Sequence, residues 1–267
     1  MVKVNRDFPK DFYDINDLLE IVAILRSENG CPWDREQTHK SIRNDLLEEA
    51  YEVADAIDRD DNTDLIEELG DLLLQVVFHS QIGTEDKAFS FNQVADGICK
   101  KLVYRHPHVF ANVKADTSEE VLNNWDKLKK AEKHMSSYTD TLKAVPTAFP
   151  ALMRAQKVQK RAAKAGYDFS GLEDTVYKLE EELAELKKAI KNGDKENASE
   201  ELGDLIFSAV NTARFLKTDS EEQLSLAIDK FIYRFEQAES MAVKEGKALN
   251  NLSPSELDEL WQRAKII

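Results

Sequence analysis

Residues 181–205 read EELAELKKAIKNGDKENASEELGDL, and residues 48–72 read EEAYEVADAIDRDDNTDLIEELGDL. Glu185 and Glu201 stand 16 positions apart, as do Glu52 and Glu68. Leu179, Leu183, Leu186 and Ile190 fall at helical spacing, and so do Leu202, Leu205, Ile206, Ala209 and Ala213. Each copy is predicted to be a helix, a turn and a second helix folded back along the first. Residues three or four apart on a helix share a face. Glu182 and Glu185 are then expected to meet Glu201 and Asp204, and in the first copy Glu49 and Glu52 to meet Glu68 and Asp71. Glu181 and Glu48 fall at the edges of these faces. Four converging carboxylates repel one another, so a chain that keeps such a set twice, in register, is expected to hold cations with it. All-oxygen ligation suits Mg²⁺, with Mn²⁺ as a substitute, better than zinc.

For one copy alone, a solvated acidic face would be the plainer explanation in a chain of net charge −15. Two features argue against it. The spacing recurs, and the acids lie among apolar residues: Leu74 and Phe78 follow Asp71 by three and seven positions, and Phe207 follows Asp204 by three. The carboxylates are therefore expected in a partly buried groove, where unneutralised charge is expensive.

The same negative balance disfavours general attraction to nucleic acid or anionic membrane, although a small phosphorylated substrate needs only local cations. Asp, Arg and Lys interrupt residues 1–17, so no secretory signal is expected there. No apolar run is long enough for a membrane span. Cys31 and Cys99 lack metal-site spacing and read as ordinary reduced thiols. A cytoplasmic location is the expectation.

Nine glycines and six prolines in 267 residues, with few alternating apolar-polar runs, point to an all-α fold. Helices are predicted near 13–27, 41–58, 63–82, 91–104, 117–134, 150–164, 172–191, 195–217, 220–245 and 254–265. Thr117 with Glu120, Ser220 with Gln223, and Ser253 with Glu256 fit capping boxes, and Pro254 sits just after its cap. Asn192-Gly193 and 58–62 read as turns.

The repeat extends beyond the acids. Lys101-Leu-Val-Tyr-Arg105 resembles Lys230-Phe-Ile-Tyr-Arg234, and Trp125/Lys129 matches Trp261/Lys265; Trp33-Asp34 upstream corresponds to Tyr167-Asp168. Two tandem helical modules are predicted, over 1–135 and 148–267, with a polar linker at 136–147. Each would form a short bundle of four-helix type, completed by dimerisation. Lys230 and Arg234, one turn apart, could hold phosphate oxygens, and Trp261 with Lys265 could stack on a base and contact phosphate. Either pair alone would be ordinary surface charge or a helix anchor. His106-Pro-His108 reads as a loop element, and His39, His79 and His134 give no spacing signal.

Glu-Glu-x-x-Glu followed by Glu-x-x-Asp resembles the signature of the all-α nucleoside triphosphate pyrophosphohydrolases. The tandem arrangement is similar to that of the MazG family, as are Gly-Cys-Pro-Trp-Asp at 30–34, Arg-His-Pro-His-Val-Phe at 105–110 and Pro-Ala-Leu-Met-Arg-Ala-Gln-Lys at 150–157. The resemblance covers nearly the whole chain. It implies Mg²⁺-dependent hydrolysis of nucleoside triphosphates of varied base to monophosphate and pyrophosphate, by a homodimer. It carries the metal ligands onto Glu182, Glu185, Glu201 and Asp204, and nucleotide contacts onto Lys178, Lys230, Arg234, Trp261 and Lys265. Glu181 or Glu182 is the expected acceptor of the attacking water's proton. The second module is expected to be the main catalytic one, although the first keeps every acidic position. Two other readings stand beside it. One is a non-catalytic nucleotide sensor using the same metals. The other is a di-iron carboxylate protein, disfavoured because that class wants Glu-x-x-His where this chain has Asp71 and Asp204.

Overall fold

The computed structural model describes residues 8–115, 117–132 and 137–266. Among these there is no strand. The helices are α1 (Ile15–Leu25), α2 (Pro32–Glu36), α3 (Arg43–Asp58), α4 (Asn62–Glu85), α5 (Phe91–Arg105), α6 (Pro107–Phe110), α7 (Ser118–Glu132), α8 (Tyr138–Lys143), α9 (Ala151–Ala163), α10 (Leu172–Asn192), α11 (Lys195–Phe215), α12 (Ser220–Lys244) and α13 (Pro254–Ala264). The ten long helices are those expected from periodicity. The short ones were not foreseen. The segment after Arg105, expected as a loop, is the single turn α6, because Pro107 is preorganised for a first helical position. The segment 136–147, expected as a linker, carries α8, capped by a Ser137–Asp140 box. Residues 133–136, where the helix expected over 117–134 ends and that linker begins, lie outside the described residues, as does His134.

The chain divides into two compact units, 1–129 and 130–267, the division falling within α7. In the first, α3 and α4 form the central antiparallel hairpin, with α1 and α5 against α4. Its core is Val22, Ile42, Val77, Phe78 and Ile82, with Leu18, Leu19, Leu74 and Phe91 packed on it. In the second, α10 and α11 form the equivalent hairpin, α9 packs on α11 and α12, and α8 packs on α9. A separate cluster of Ala238, Ala242, Leu260 and Ala264 joins α12 to α13.

The turns follow from local chemistry. Gly193 closes α10 with φ +73°, a left-handed conformation that glycine adopts without penalty, and Asp194 then caps α11 by accepting from the Asn197 N–H. Asp61 caps α4 in the same way, accepting from the Thr63 and Asp64 N–H groups. The Ser253–Glu256 box forms as expected. The Ser220–Gln223 box does not: Asp219 is the cap, and the Ser220 hydroxyl instead donates to Gln156 Oε1 at 3.0 Å.

Which helix faces are buried departs from simple amphipathic expectation. On α10 the buried residues are Thr175, Glu182 and Ala189, and on α11 they are Ser208, Val210 and Asn211. The apolar residues Leu183, Ile190, Leu202 and Ile206 are exposed. The first hairpin repeats this, with Tyr51, Ile57, Ile66 and Leu69 exposed. No helix among the described residues is long and apolar enough to cross a membrane.

Candidate active site

The α10–α11 hairpin sets Glu182, Glu201 and Asp204 face to face, each offering a carboxylate oxygen within 4.8 Å of the others. Oxygens around a bound Mg²⁺ lie about 3–4 Å apart, so an all-oxygen set this close fits a hard divalent ion with little adjustment. Glu185 is exposed and outside this triad, but its charge acts on Glu201. Burial, then the charges of Glu185, Glu182 and Asp204, holds the Glu201 carboxyl above the usual carboxylate range. Glu182 is only 6% exposed. Its counter-charge is Lys178 one turn earlier, with Nζ 2.8 Å from Glu182 and 3.0 Å from Glu181. Hydrogen bonds to Glu182 and Glu181 raise the pKa of that ammonium.

The first hairpin gathers Glu49, Glu68 and Asp71 in the same way. Glu52 stands outside the triad but shares a hydrogen bond with Glu49. Burial, followed by the surrounding carboxylates, raises the pKa of both Glu49 and Glu68. Equivalent positions in the two hairpins are 133 residues apart, and at the position of Lys178 the first unit has Asp45. Its acids thus lack the built-in cation of the second unit.

A cavity of about 610 Å³ opens from the second triad, with Lys178, Glu182 and Asp204 on its wall. Val158, Phe169 and Phe207 supply apolar lining, and Gln159, Asn211 and Arg214 supply polar groups. Gln159 Nε2 donates to the Phe207 carbonyl at 2.7 Å, and Gln159 Oε1, buried, has no partner among the described residues. Arg214 Nε donates to Asn211 Oδ1 at 2.8 Å, and its Nη1 to Asp168 Oδ2 at 3.0 Å. In the first unit Phe207, Ser208, Asn211 and Arg214 are answered by Leu74, Gln75, Phe78 and Gln81. Phe78 is buried there, with the Arg26 guanidinium 5.1 Å above its ring. The acids are repeated, and of the polar lining positions that of Asn211 becomes apolar, as Phe78.

The expected nucleotide contacts on α12 and α13 do not line this cavity within the chain. Lys230 is exposed and Arg234 half-buried on α12. Trp261 packs against Phe231, with ring centroids 5.1 Å apart, and Lys265 is exposed, with Nζ donating to Gln262 at 3.2 Å. In the first unit Arg105 is buried, its guanidinium 6.0 Å from the Trp125 ring. Sequence spacing missed Gln159, Asn211 and Arg214, which come from two helices and carry no motif. It also missed the His39–His79 pair, whose Nδ1 atoms lie 2.8 Å apart across 40 residues of chain. Burial, then the neighbouring His39, lowers the pKa of His79.

The family model of the MazG nucleotide pyrophosphohydrolase domain matches residues 37–110 and 171–238, which contain the two acidic hairpins. A nucleoside triphosphate pyrophosphohydrolase of Escherichia coli K12 is 44% identical over 254 residues, covering 94% of this chain and 97% of that protein. A nucleoside triphosphate pyrophosphohydrolase/pyrophosphatase MazG of Thermotoga maritima is 41% identical over 249 residues, covering 93% and 94%. An uncharacterized protein, YabN, of Bacillus subtilis is 43% identical over 255 residues, which span 95% of this chain and 52% of that protein.

Proposed function

The chain belongs to the MazG nucleotide pyrophosphohydrolase family and is an enzyme of that kind, and on that premise we propose that it cleaves nucleoside triphosphates between the α- and β-phosphates, with Mg²⁺ as cofactor. One observation carries the reading. The second hairpin gathers three carboxylates beside a cavity large enough for a small molecule, within a segment that matches the family.

When bound, Mg²⁺ clamps phosphate oxygens and makes a water more acidic. Glu182, Glu201 and Asp204 would hold it, with the charge of Glu185 beside them. Lys178 pairs with buried Glu182 and holds it aligned, and its ammonium lies close enough to the triad to meet a phosphate oxygen. Water attacks the α-phosphorus in line and pyrophosphate departs. Glu181 or Glu182 takes the water's proton. Glu181 is the more exposed of the two and is held by Lys178 at the triad's edge. Lys230 and Arg234 bind the phosphates, and Trp261 and Lys265 the rest of the nucleotide. The first unit binds Mg²⁺ through Glu49, Glu68 and Asp71, with Glu52 beside them, and contributes less to turnover.

A homodimer completes the arrangement. The chain exposes 19389 Å², whereas even two separate compact bodies of half its mass would expose about 14,000 Å². The hairpins carry outward apolar residues, and on α12 Leu224, Ile228, Phe231 and Ile232 are exposed. A second copy covering these faces would remove them from water and bring α12 residues towards a partner's acids.

The test is to incubate the protein with Mg²⁺ and a panel of triphosphates and to identify the products. Monophosphate with pyrophosphate supports the proposal; diphosphate with orthophosphate, or no turnover, overturns it. Glu201→Gln with Asp204→Asn should abolish turnover, and Glu68→Gln with Asp71→Asn should leave most of it. The reverse pattern would assign catalysis to the first unit.

A further inference from the structure

The cavity beside the second triad holds a polar arrangement that the hydrolytic chemistry leaves unused. Gln159 and Asn211 are 6% and 9% exposed, and they project from α9 and α11 into the same space. Their carboxamide orientations are set by their partners. Gln159 Nε2 must face the Phe207 carbonyl, so Oε1 is the free end, an acceptor without a donor. Asn211 Oδ1 accepts from Arg214 Nε, so its NH₂ is the end left over, a donor. Arg214 is itself held by Asp168, which keeps Asn211 in one orientation. An unpaired buried acceptor is costly in a folded protein and is a standing demand for an N–H or O–H group.

Resting on the proposed hydrolysis of nucleoside triphosphates, we propose that Gln159 and Asn211 are the base-reading residues of the second unit: Gln159 Oε1 accepts from an N–H on the base edge, and Asn211 Nδ2 donates to a ring nitrogen or carbonyl beside it. Three features support the assignment. The cavity begins at Lys178, Glu182 and Asp204, so a nucleotide whose phosphates sit at the triad extends into it. The flanking surfaces from Val158, Phe169 and Phe207 are apolar and suit the faces of a flat ring. In the first unit the position of Asn211 is Phe78, beneath the Arg26 guanidinium, so the acids are retained there without the reading pair.

Every common base carries an N–H next to an acceptor, so an acceptor–donor pair of this kind admits several bases while rejecting a ring without an N–H on that edge. Purine riboside triphosphate, which is ATP without its exocyclic amine, is the discriminating probe. Initial rates of pyrophosphate release at saturating Mg²⁺ should be measured for wild-type protein with ATP, GTP and this analogue. The expected result is a kcat/KM about ten- to a hundredfold lower for the analogue than for the better of the two natural nucleotides, as for a buried hydrogen bond lost on one side. Gln159→Leu should shrink that ratio towards unity, mainly by lowering kcat/KM for the natural nucleotide, with monophosphate and pyrophosphate still the products. Equal use of the analogue and the natural nucleotides by the wild type overturns the assignment without any variant having to fold. A ratio that survives in folded Gln159→Leu also overturns it. Failure of the wild type to release pyrophosphate from any triphosphate would instead sink the proposed reaction, which is a distinguishable result.

Discussion

Lys178→Met should destabilise the second unit in the absence of metal, and the size of the loss follows from the geometry. The substitution keeps the apolar stem and removes the ammonium. Glu182, whose side chain is 8% exposed, then loses its partner at 2.8 Å while Glu201 and Asp204 keep carboxylate oxygens within 4.8 Å of its own. Breaking a fully buried pair costs about 3–5 kcal/mol, and because the Lys178 side chain is 34% exposed, solvent screening brings the expected figure to about 1–3 kcal/mol. That corresponds to a fall of about 4–10 °C in melting temperature for a unit of this size. The Lys178 pKa is raised in the folded state, so its contribution is fully present below the unfolded ammonium pKa and disappears only in alkali, as pH rises through the folded value. Calorimetry at neutral pH in chelator therefore reads the whole effect. Adding Glu182→Gln should recover most of the loss, because no buried charge is then left unpaired, and excess Mg²⁺ should rescue the single variant by replacing the missing positive charge. A Lys178→Met protein as stable as wild type, or one that Glu182→Gln fails to relieve, would refute the reasoning.

Glu201→Gln should reduce turnover at least about a hundredfold with helical content unchanged on circular dichroism, because it removes a ligand charge while keeping shape. The raised Glu201 pKa means that the folded state binds its proton more tightly than the unfolded state, so the contribution of this group to metal-free stability is fully present on the acid side and is lost as pH rises through the folded value; the difference in melting temperature between wild type and Glu201→Gln should change in that sense across the weakly acidic range. Lys230→Ala and Arg234→Ala should each raise KM and lower kcat/KM about tenfold or more in steady-state assays, and unchanged kinetics would remove α12 from phosphate binding. Trp261→Ala should raise KM, whereas a lower melting temperature with unaltered nucleotide affinity would mark Trp261 as only an anchor on Phe231.

The helices were legible because their signals are local: apolar period, the Ser253 box with Pro254 after it, and Gly193 in the turn that closes α10. The acidic triads were legible because a repeated spacing on two helices of one hairpin fixes which carboxylates can meet. Three kinds of information were not legible. Short helices such as α2 and α6 lack a full period to read. The Ser220 cap was misread because Asp219 competes for the same N–H groups and Gln156, 64 positions away, claims the Ser220 hydroxyl. Gln159 meets Asn211 and Arg214, one turn apart on α11, only when α9 packs across α11, and glutamine or asparagine at such positions looks like any other polar residue in a helix.

The two hairpins show how one helical frame can separate holding a cation from accommodating what the cation binds. The acids sit at fixed positions of α3–α4 and α10–α11, and their mutual repulsion is met by different means. In the second unit Lys178 supplies a permanent positive charge at one edge, leaving Glu182 buried and paired while Glu201 and Asp204 stay more open. In the first, Asp45 adds another negative charge at the corresponding position, so Glu49 and Glu68 depend on protons or added cations for neutralisation. Divergence is greatest one and two turns beyond the acids on α4 and α11. Leu74 and Phe78 there build a dry core, with Val77 and Ile82, that stabilises the first unit. Phe207 and Asn211 instead wall a cavity, and the second unit gives up core packing at those positions to keep it open. Phe78, which helps to pack the first unit, also deprives it of the amide that Asn211 presents in the second. Restoring that lining by Phe78→Asn would therefore exchange core stability for space, and stability and substrate room are opposing uses of one helix position.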